Sequence, residues 1–297
     1  MNRVWNGMVW LTMTALAWGC GGRSAVRKTT TVPPGGRPVA LESSQEQLLD
    51  RYNRLAHGLE SLNVTAELKP SAGSAYSGVI NEYHEVKAFI LASRPYNIRM
   101  IGQVPIAGTT VFDMASNGEN FEVFIPSRNQ FLIGAVSLSR VSAKPIENLR
   151  PQHLVDALLW PDVRKEEVTL FEEFNDETGR YYILTILRGG YQNEILHRIW
   201  FDRADLRLAR LQSYGRKGVL LSDVRYDNWQ APDNPSPGLS AYPVAVRIDR
   251  PHDEYRLDLG ITKITVNQTI PADRFQLAIP AGATVTHLTD APEETKP

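Results

Sequence analysis

The chain has 297 residues, one cysteine and a formal net charge of −1 at neutral pH. With 32 basic and 33 acidic residues, the composition argues against the strongly basic surface of a nucleic-acid-binding protein. A single cysteine excludes an internal disulfide bond, so a packed core must stabilise the fold.

The N-terminus combines one positive charge with an uncharged stretch that ends at the single cysteine. No ionisable residue lies between Arg3 and Cys20, and this uncharged stretch is shorter than the roughly 20 residues that a membrane-spanning helix needs. A small residue directly before a cysteine resembles the lipobox, although Ala17 and Trp18 depart from its usual pattern. The resemblance implies that residues 1–19 are a lipoprotein signal peptide and that Cys20 carries a lipid. The alternative is an ordinary cleaved signal with an incidental cysteine.

Residues 20–42 are rich in glycine, proline and threonine and show no apolar period, which predicts a flexible tether after the lipidated cysteine. Gly21 stands where an aspartate commonly retains lipoproteins in the inner membrane. By resemblance, the protein is expected on the periplasmic face of the outer membrane. A single folded domain is predicted over residues 43–288, and the acidic residues 289–297 are predicted to be a disordered tail.

A helix is predicted to begin at Ser43. Ser43 can cap this helix, and Glu46 can complete a capping box. Apolar residues then recur at steps of three and four up to Leu62, as in an amphipathic helix. Such a helix could pack on a sheet or plug the mouth of a curved sheet.

Strands are predicted after this helix, because the apolar period changes to two at Asn63. Val79 to Leu91 is predicted as one long strand, and Asn117-Gly118 is typical of a hairpin turn. Near Gly260 the apolar residues change parity, which indicates a bulge.

A second helix is predicted over residues 151–160, between two sets of strands. Pro151 suits its first turn, and its apolar stripe consists of Leu154, Val155, Leu158 and Leu159. The order helix, strands, helix, strands predicts a mainly β (α+β) fold. We expect one highly curved antiparallel sheet of about 10 or 11 strands, with the helices covering its concave face.

Four stretches, in this order and spacing, resemble the LolA/LolB family of bacterial lipoprotein carriers. They are the first helix with Leu62–Ala66, Arg94-Pro95 with the strand Ile98–Val104, the segment from Phe112 to Gln130, and Asp273 to Val285. The resemblance implies an unclosed β-barrel with a helical lid over an apolar cavity for lipoprotein acyl chains.

The same resemblance implies that Arg94 is the latch of the lid and that the second helix, with its apolar stripe, is a lid helix. A surface arginine at a strand end is the alternative for Arg94. LolB also exposes an apolar residue on a protruding loop. The suitable turn here is at Ala107 and Gly108, and Ile106 is the large apolar residue directly beside it.

Alternating apolar residues could line the cavity or could simply fill a core, and the alternation alone does not separate the two. The candidates for the cavity lining are Ile98, Met100, Phe112, Met114, Phe121, Val123, Ile125, Leu184 and Ile186.

The sequence contains no pattern for a metal site, a phosphate loop or a nucleophile with its base. We therefore expect no metal, no cofactor and no enzymatic activity. The expected function is a monomeric, membrane-anchored periplasmic lipoprotein that binds lipid or the acyl chains of other lipoproteins during transport to the outer membrane, with no nucleic-acid partner. The alternative is an envelope sensor or interaction protein that resembles RseB and uses the same fold without transport.

Overall fold

The computed structural model describes residues 39–289, except 75–78, 139–150, 177–178, 191–193 and 235. The predicted signal peptide, Cys20 and the tether up to Pro38 lie outside the described residues, as does the predicted tail from residue 290.

Two α-helices and fifteen β-strands form the described part of the chain. The helices are α1 (Gln45–His57) and α2 (Gln152–Leu159). The strands are β1 (Ser61–Ser74), β2 (Val79–Glu82), β3 (Val86–Ser93), β4 (Asn97–Gln103), β5 (Thr110–Ser116), β6 (Asn120–Ile125), β7 (Gln130–Ala135), β8 (Val168–Asn175), β9 (Arg180–Arg188), β10 (Glu194–Asp202), β11 (Leu208–Tyr214), β12 (Leu220–Gln230), β13 (Tyr242–Arg250), β14 (Tyr255–Val266) and β15 (Thr284–Leu288).

All fifteen strands belong to one sheet, in the order β15-β7-β6-β5-β4-β3-β1-β14-β13-β12-β11-β10-β9-β8, with β2 beside β1. The neighbours are antiparallel except β15 and β7, which pair in parallel. The first and last strands of this order do not pair, so the sheet is an unclosed barrel, and the predicted fold class is confirmed. The strand number exceeds the predicted 10 or 11, partly because Val79–Leu91 divides into β2 and β3 and because β15 adds a strand near the end of the chain.

The position of α2 shows that the sheet is strongly curved. This helix packs against β3 and β4, and it also accepts hydrogen bonds from Tyr226 of β12 and Tyr242 of β13. Strands β4 and β12 are five places apart in the sheet order, which would separate them by about 24 Å in a flat sheet. A helix of eight residues is only about 12 Å long. The sheet must therefore wrap around α2.

The core lies between the helices and the sheet face that they cover, which we call the inner face. Alternate residues of β3 and β4 are buried, and they form one apolar cluster with Leu48, Tyr52 and Ala56 of α1 and with the apolar residues of α2. Burial of both helices against one sheet face is the main source of stability in a fold without disulfide bonds.

The N-terminal cap of α1 differs by one residue from the prediction. Ser44, not Ser43, is the N-cap, and Gln47, not Glu46, completes the capping box. The side-chain oxygen of Gln47 accepts from the main-chain nitrogen of Ser44 at 3.0 Å. A glutamine is as suitable as a glutamate at this place, so the capping-box pattern does not distinguish the two registers.

The change of parity in β14 is a bulge two residues after Gly260. Thr65 of β1 pairs with Lys263, whereas Ala66 pairs with Ile261, so Thr262 has no partner in the β1–β14 register. The extra residue returns the apolar side chains of β14 to the inner face beyond it.

Candidate functional site

The C-terminal turn of α2 is capped by side chains from the sheet. The last four carbonyl groups of a helix lack partners within the helix. The hydroxyl of Tyr226 donates to the main-chain oxygen of Ala157 at 2.9 Å, and the hydroxyl of Tyr242 donates to that of Leu158 at 2.9 Å. Both tyrosines are almost wholly buried, so water does not replace these bonds in the closed molecule.

Arg94 completes this cap and joins α2 to α1. Its Nη2 donates to the main-chain oxygens of Leu159 and Trp160, the latter at 2.8 Å, and also to that of Ala56 at 2.8 Å. Its Nε donates to the oxygen of Leu59 at 2.9 Å. The C-terminal ends of two helices carry partial negative charge, which a guanidinium stabilises. The predicted latch residue Arg94 therefore lies between the C-terminal ends of α1 and α2.

The residues predicted to line a cavity are brought together on the inner face. None of the nine is more than 7% exposed, and all belong to the same buried cluster as the predicted lid residues Leu154, Val155, Leu158 and Leu159. In this conformation the apolar stripe of α2 packs in that cluster.

A recess of about 370 Å³ lies beside the C-terminal turn of α2. None of the nine predicted cavity residues lines this recess. Its apolar walls include Val155, Leu159 and Trp160 from α2 and its cap, and Leu196 from β10. Six charged side chains also line the recess, namely Arg94, Arg164, Arg188, Asp156, Asp162 and Glu167.

Two titratable groups of the recess are shifted by their surroundings. Burial lowers the pKa of His197 to about 4, and its Nδ1 lies 3.2 Å from the hydroxyl of Ser213. Desolvation raises the pKa of Asp156 above its ordinary value, and the guanidinium of Arg94 opposes this shift. At neutral pH His197 is therefore an uncharged polar group in the wall of the recess.

The N-terminal turn of α2 is held by a different set of groups. Nδ1 of His153 lies 3.2 Å from the hydroxyl of Tyr255 and 3.6 Å from a carboxylate oxygen of Asp253. Arg250 approaches Nε2 of His153 at 3.3 Å and pairs with Asp253 at 2.7 Å. Sequence reasoning missed this cluster, because His153 is 97 residues from Arg250 in the chain.

Ile106 is fully exposed in the turn between β4 and β5. Its φ of 69° lies in the left-handed region, which is unfavourable for a β-branched residue. Val104, in the same turn, is 41% exposed. The turn thus presents apolar side chains to solvent at a cost in backbone energy.

Within the described residues, no group of three histidine, cysteine, aspartate or glutamate side chains is placed to hold a metal ion. The part of the chain that the structure describes also contains no helix that is long and apolar enough to cross a membrane.

Comparison with known proteins gives likeness of structure only. No protein-family model matches the sequence, and no curated protein matches it significantly. A LolA superfamily protein from Nitrosomonas europaea is 14% identical with a TM-score of 0.48, over 80% of this chain and 99% of that chain. A DUF1329 family protein from Desulfovibrio piger is 15% identical with a TM-score of 0.47, over 78% of this chain and 96% of that one.

A third solved structure is described as an outer membrane lipoprotein-sorting protein domain from Vibrio parahaemolyticus. It is 11% identical with a TM-score of 0.45, over 76% of this chain and 93% of that chain. Identities below 25% and TM-scores below 0.5 do not establish family membership or function for this chain.

Proposed function

We propose that the protein is a non-enzymatic carrier or acceptor that binds lipid or lipoprotein acyl chains between the inner face of the sheet and α2. The observation that carries the proposal is the position of Arg94, whose guanidinium joins the C-terminal ends of α1 and α2 through main-chain oxygens alone. Loss of these bonds would separate the end of α2 from that of α1 without breaking a covalent or metal bond.

The apolar chemistry of the covered surface supports an acyl-chain ligand. Met100 and Met114 lie side by side in the register of β4 and β5, and both are fully buried under the helices. Methionine side chains adapt to irregular apolar ligands. An acyl chain that replaces the stripe of α2 would gain about 25 cal/mol for each Å² of apolar area that it buries.

A membrane location is part of the same proposal, in which residues 1–19 are a lipoprotein signal peptide. A lipid on Cys20 would anchor the protein to the periplasmic face of the outer membrane, and the segment up to residue 38 would tether the domain. Two acyl chains hold a protein at a bilayer far better than one.

The exposed Ile106 fits a role in delivery. An apolar side chain in a strained turn is costly in an isolated molecule and would be useful where the turn touches a lipid surface or an incoming acyl chain. We propose that this turn is the point of contact during transfer.

Lipid extraction and mass spectrometry of the full chain, purified from a bacterial envelope, test the proposal. We expect a bound lipid or acyl chain in the wild type and a changed occupancy in Arg94→Leu. Arg99→Leu is the matched control, because Arg99 pairs with Asp113 on the opposite face of the sheet from Met100. Absence of bound lipid in all three proteins would refute the proposal.

The second candidate is an envelope sensor or interaction protein, and the packing of both helices into one apolar cluster with the sheet favours it. The helices and the sheet share one buried apolar cluster, which a protein without a ligand would also show. Recovery of a protein partner by crosslinking, together with failure to bind lipid, would favour this second candidate.

A further inference from the structure

Arg94 supplies only part of the cap on α2, because two buried tyrosines hold the preceding carbonyls. Resting on the proposed function, we propose that Tyr226 and Tyr242 are positioning residues of the lid. With Arg94 they form one clamp, which closes the C-terminal turn of α2 onto the sheet.

The three side chains bind different carbonyls at the end of α2. Tyr226 holds Ala157, Tyr242 holds Leu158, and Arg94 holds the next two carbonyls. The carbonyls of the last three residues of α2 and that of its C-cap residue Trp160 are thus all bonded to side chains from the sheet side of the molecule. Since buried carbonyls without partners are costly, opening of this turn requires that all of these bonds be lost together or be replaced by water.

The two hydroxyls are suited to this role by their protonation state. Burial raises the pKa of Tyr226 and of Tyr242 above the ordinary value. Both groups therefore stay protonated and remain hydrogen-bond donors throughout the physiological pH range.

Trp160 shows that the clamp holds a strained backbone. Its φ is 50°, a left-handed conformation that a large side chain rarely adopts. Its ring centroid lies 5.2 Å from that of Tyr242, 6.1 Å from that of Tyr226 and 6.0 Å from that of Trp229. The same two tyrosines thus hold the helix end through their rings as well as through their hydroxyls.

Tyr52 provides a matched control within the same core. It is 1% exposed, and its hydroxyl has no hydrogen-bond partner among the described residues. Replacement of this tyrosine by phenylalanine removes a buried hydroxyl without removing a hydrogen bond to α2.

Hydrogen exchange of the full chain in lipid nanodiscs tests the clamp. Tyr226→Phe and Tyr242→Phe should each speed exchange of the amides of α2 about threefold to tenfold, while Tyr52→Phe should leave it unchanged. The double variant Tyr226→Phe/Tyr242→Phe should speed exchange of the α2 amides more than either single variant does. Unchanged exchange in α2 of both tyrosine variants would overturn the proposal, as would an equal increase in α2 and in β9 and β10, which would report global destabilisation.

A second measurement separates the clamp from the proposed function. Photo-crosslinking with a diazirine-bearing C16 fatty acid in the nanodisc should give more adducts on the inner face in the tyrosine variants than in Tyr52→Phe. Faster exchange of α2 without adducts in any variant would support the clamp and reject acyl-chain binding. Adducts that increase in Arg94→Leu, but not in the tyrosine variants, would reject the clamp and support binding.

Discussion

Arg94 and Trp160 are 66 residues apart in the chain, yet the guanidinium of the first donates to the main-chain oxygen of the second at 2.8 Å. This bond fastens the end of α2 to the start of the turn between β3 and β4. The side chain of Arg94 also reaches α1 through Ala56 and Leu59. One cation thus holds both helices over the inner face of the sheet.

Arg94→Leu should lower the free energy of unfolding by about 3 kcal/mol, because it leaves four main-chain oxygens without a charged donor. Urea denaturation, followed by tryptophan fluorescence, would measure the change. Arg99→Leu should cost only about 1 kcal/mol, since the pair of Arg99 with Asp113 is partly open to solvent. An equal loss of unfolding free energy in the two variants would contradict the claim that Arg94 holds both helices.

The free energy of unfolding should fall on acidification, and His197 should cause part of this fall. The pKa of His197 is about 4 in the folded protein, against an ordinary value of 6.5. Because the unfolded chain binds the proton more tightly, the contribution of His197 to stability is complete above pH 6.5 and is lost as the pH falls towards 4. The loss should be about 2 kcal/mol.

Urea denaturation at several pH values between 7 and 4 would test the role of His197. In His197→Gln, the free energy of unfolding should depend less on pH than in the wild type. His252→Gln is the control, because it replaces an exposed histidine. An unchanged slope in His197→Gln would show that other groups cause the acid sensitivity.

Ile106→Asn should stabilise the protein by up to about 1 kcal/mol, because asparagine tolerates the left-handed conformation better than isoleucine does. The same substitution should reduce transfer of a fluorescent acyl chain to vesicles. Val104→Asn is the control, since Val104 lies in the same turn without a positive φ. A loss of stability in Ile106→Asn would contradict the assigned backbone strain.

Gly102→Ala should destabilise the fold by about 2 kcal/mol through overpacking. A Cβ at Gly102 would clash with the ring of Phe112, which covers this glycine from β5. Gly260→Ala should change stability by less than about 0.5 kcal/mol, because its Cβ would meet nothing within 4 Å. Thermal unfolding of the two variants provides the comparison, and equal midpoints would contradict the close packing of Phe112.

The sequence was sufficient to predict the sheet, both helices and the inner face. Alternation marked Ile98, Met100 and Met114 as residues of a core or a cavity lining, and the structure buries all three. The division of Val79–Leu91 was missed, although the polar run Asn81–Glu85 separates the apolar residues of β2 from those of β3. The parallel strand β15 also carries no signal that distinguishes it from an antiparallel strand.

The candidate site was predicted only in part. Arg94 could be singled out from the Arg-Pro pair, but its acceptors are main-chain oxygens, which leave no trace in the side-chain pattern. Tyr226 and Tyr242 were missed, because in sequence they look like ordinary strand residues. Alternation also could not decide whether the inner face is hollow or covered, since both arrangements require the same apolar side chains.

Acyl-chain binding under α2 is the central claim, and photo-crosslinking of the full chain in nanodiscs with the diazirine-bearing C16 fatty acid tests it most directly. We predict adducts on inner-face residues of β4 and β5, such as Met100 and Met114, with a higher yield in Arg94→Leu than in Arg99→Leu. Adducts confined to exposed positions, or equal yields at Met100 and Met114 in the two variants, would contradict the account.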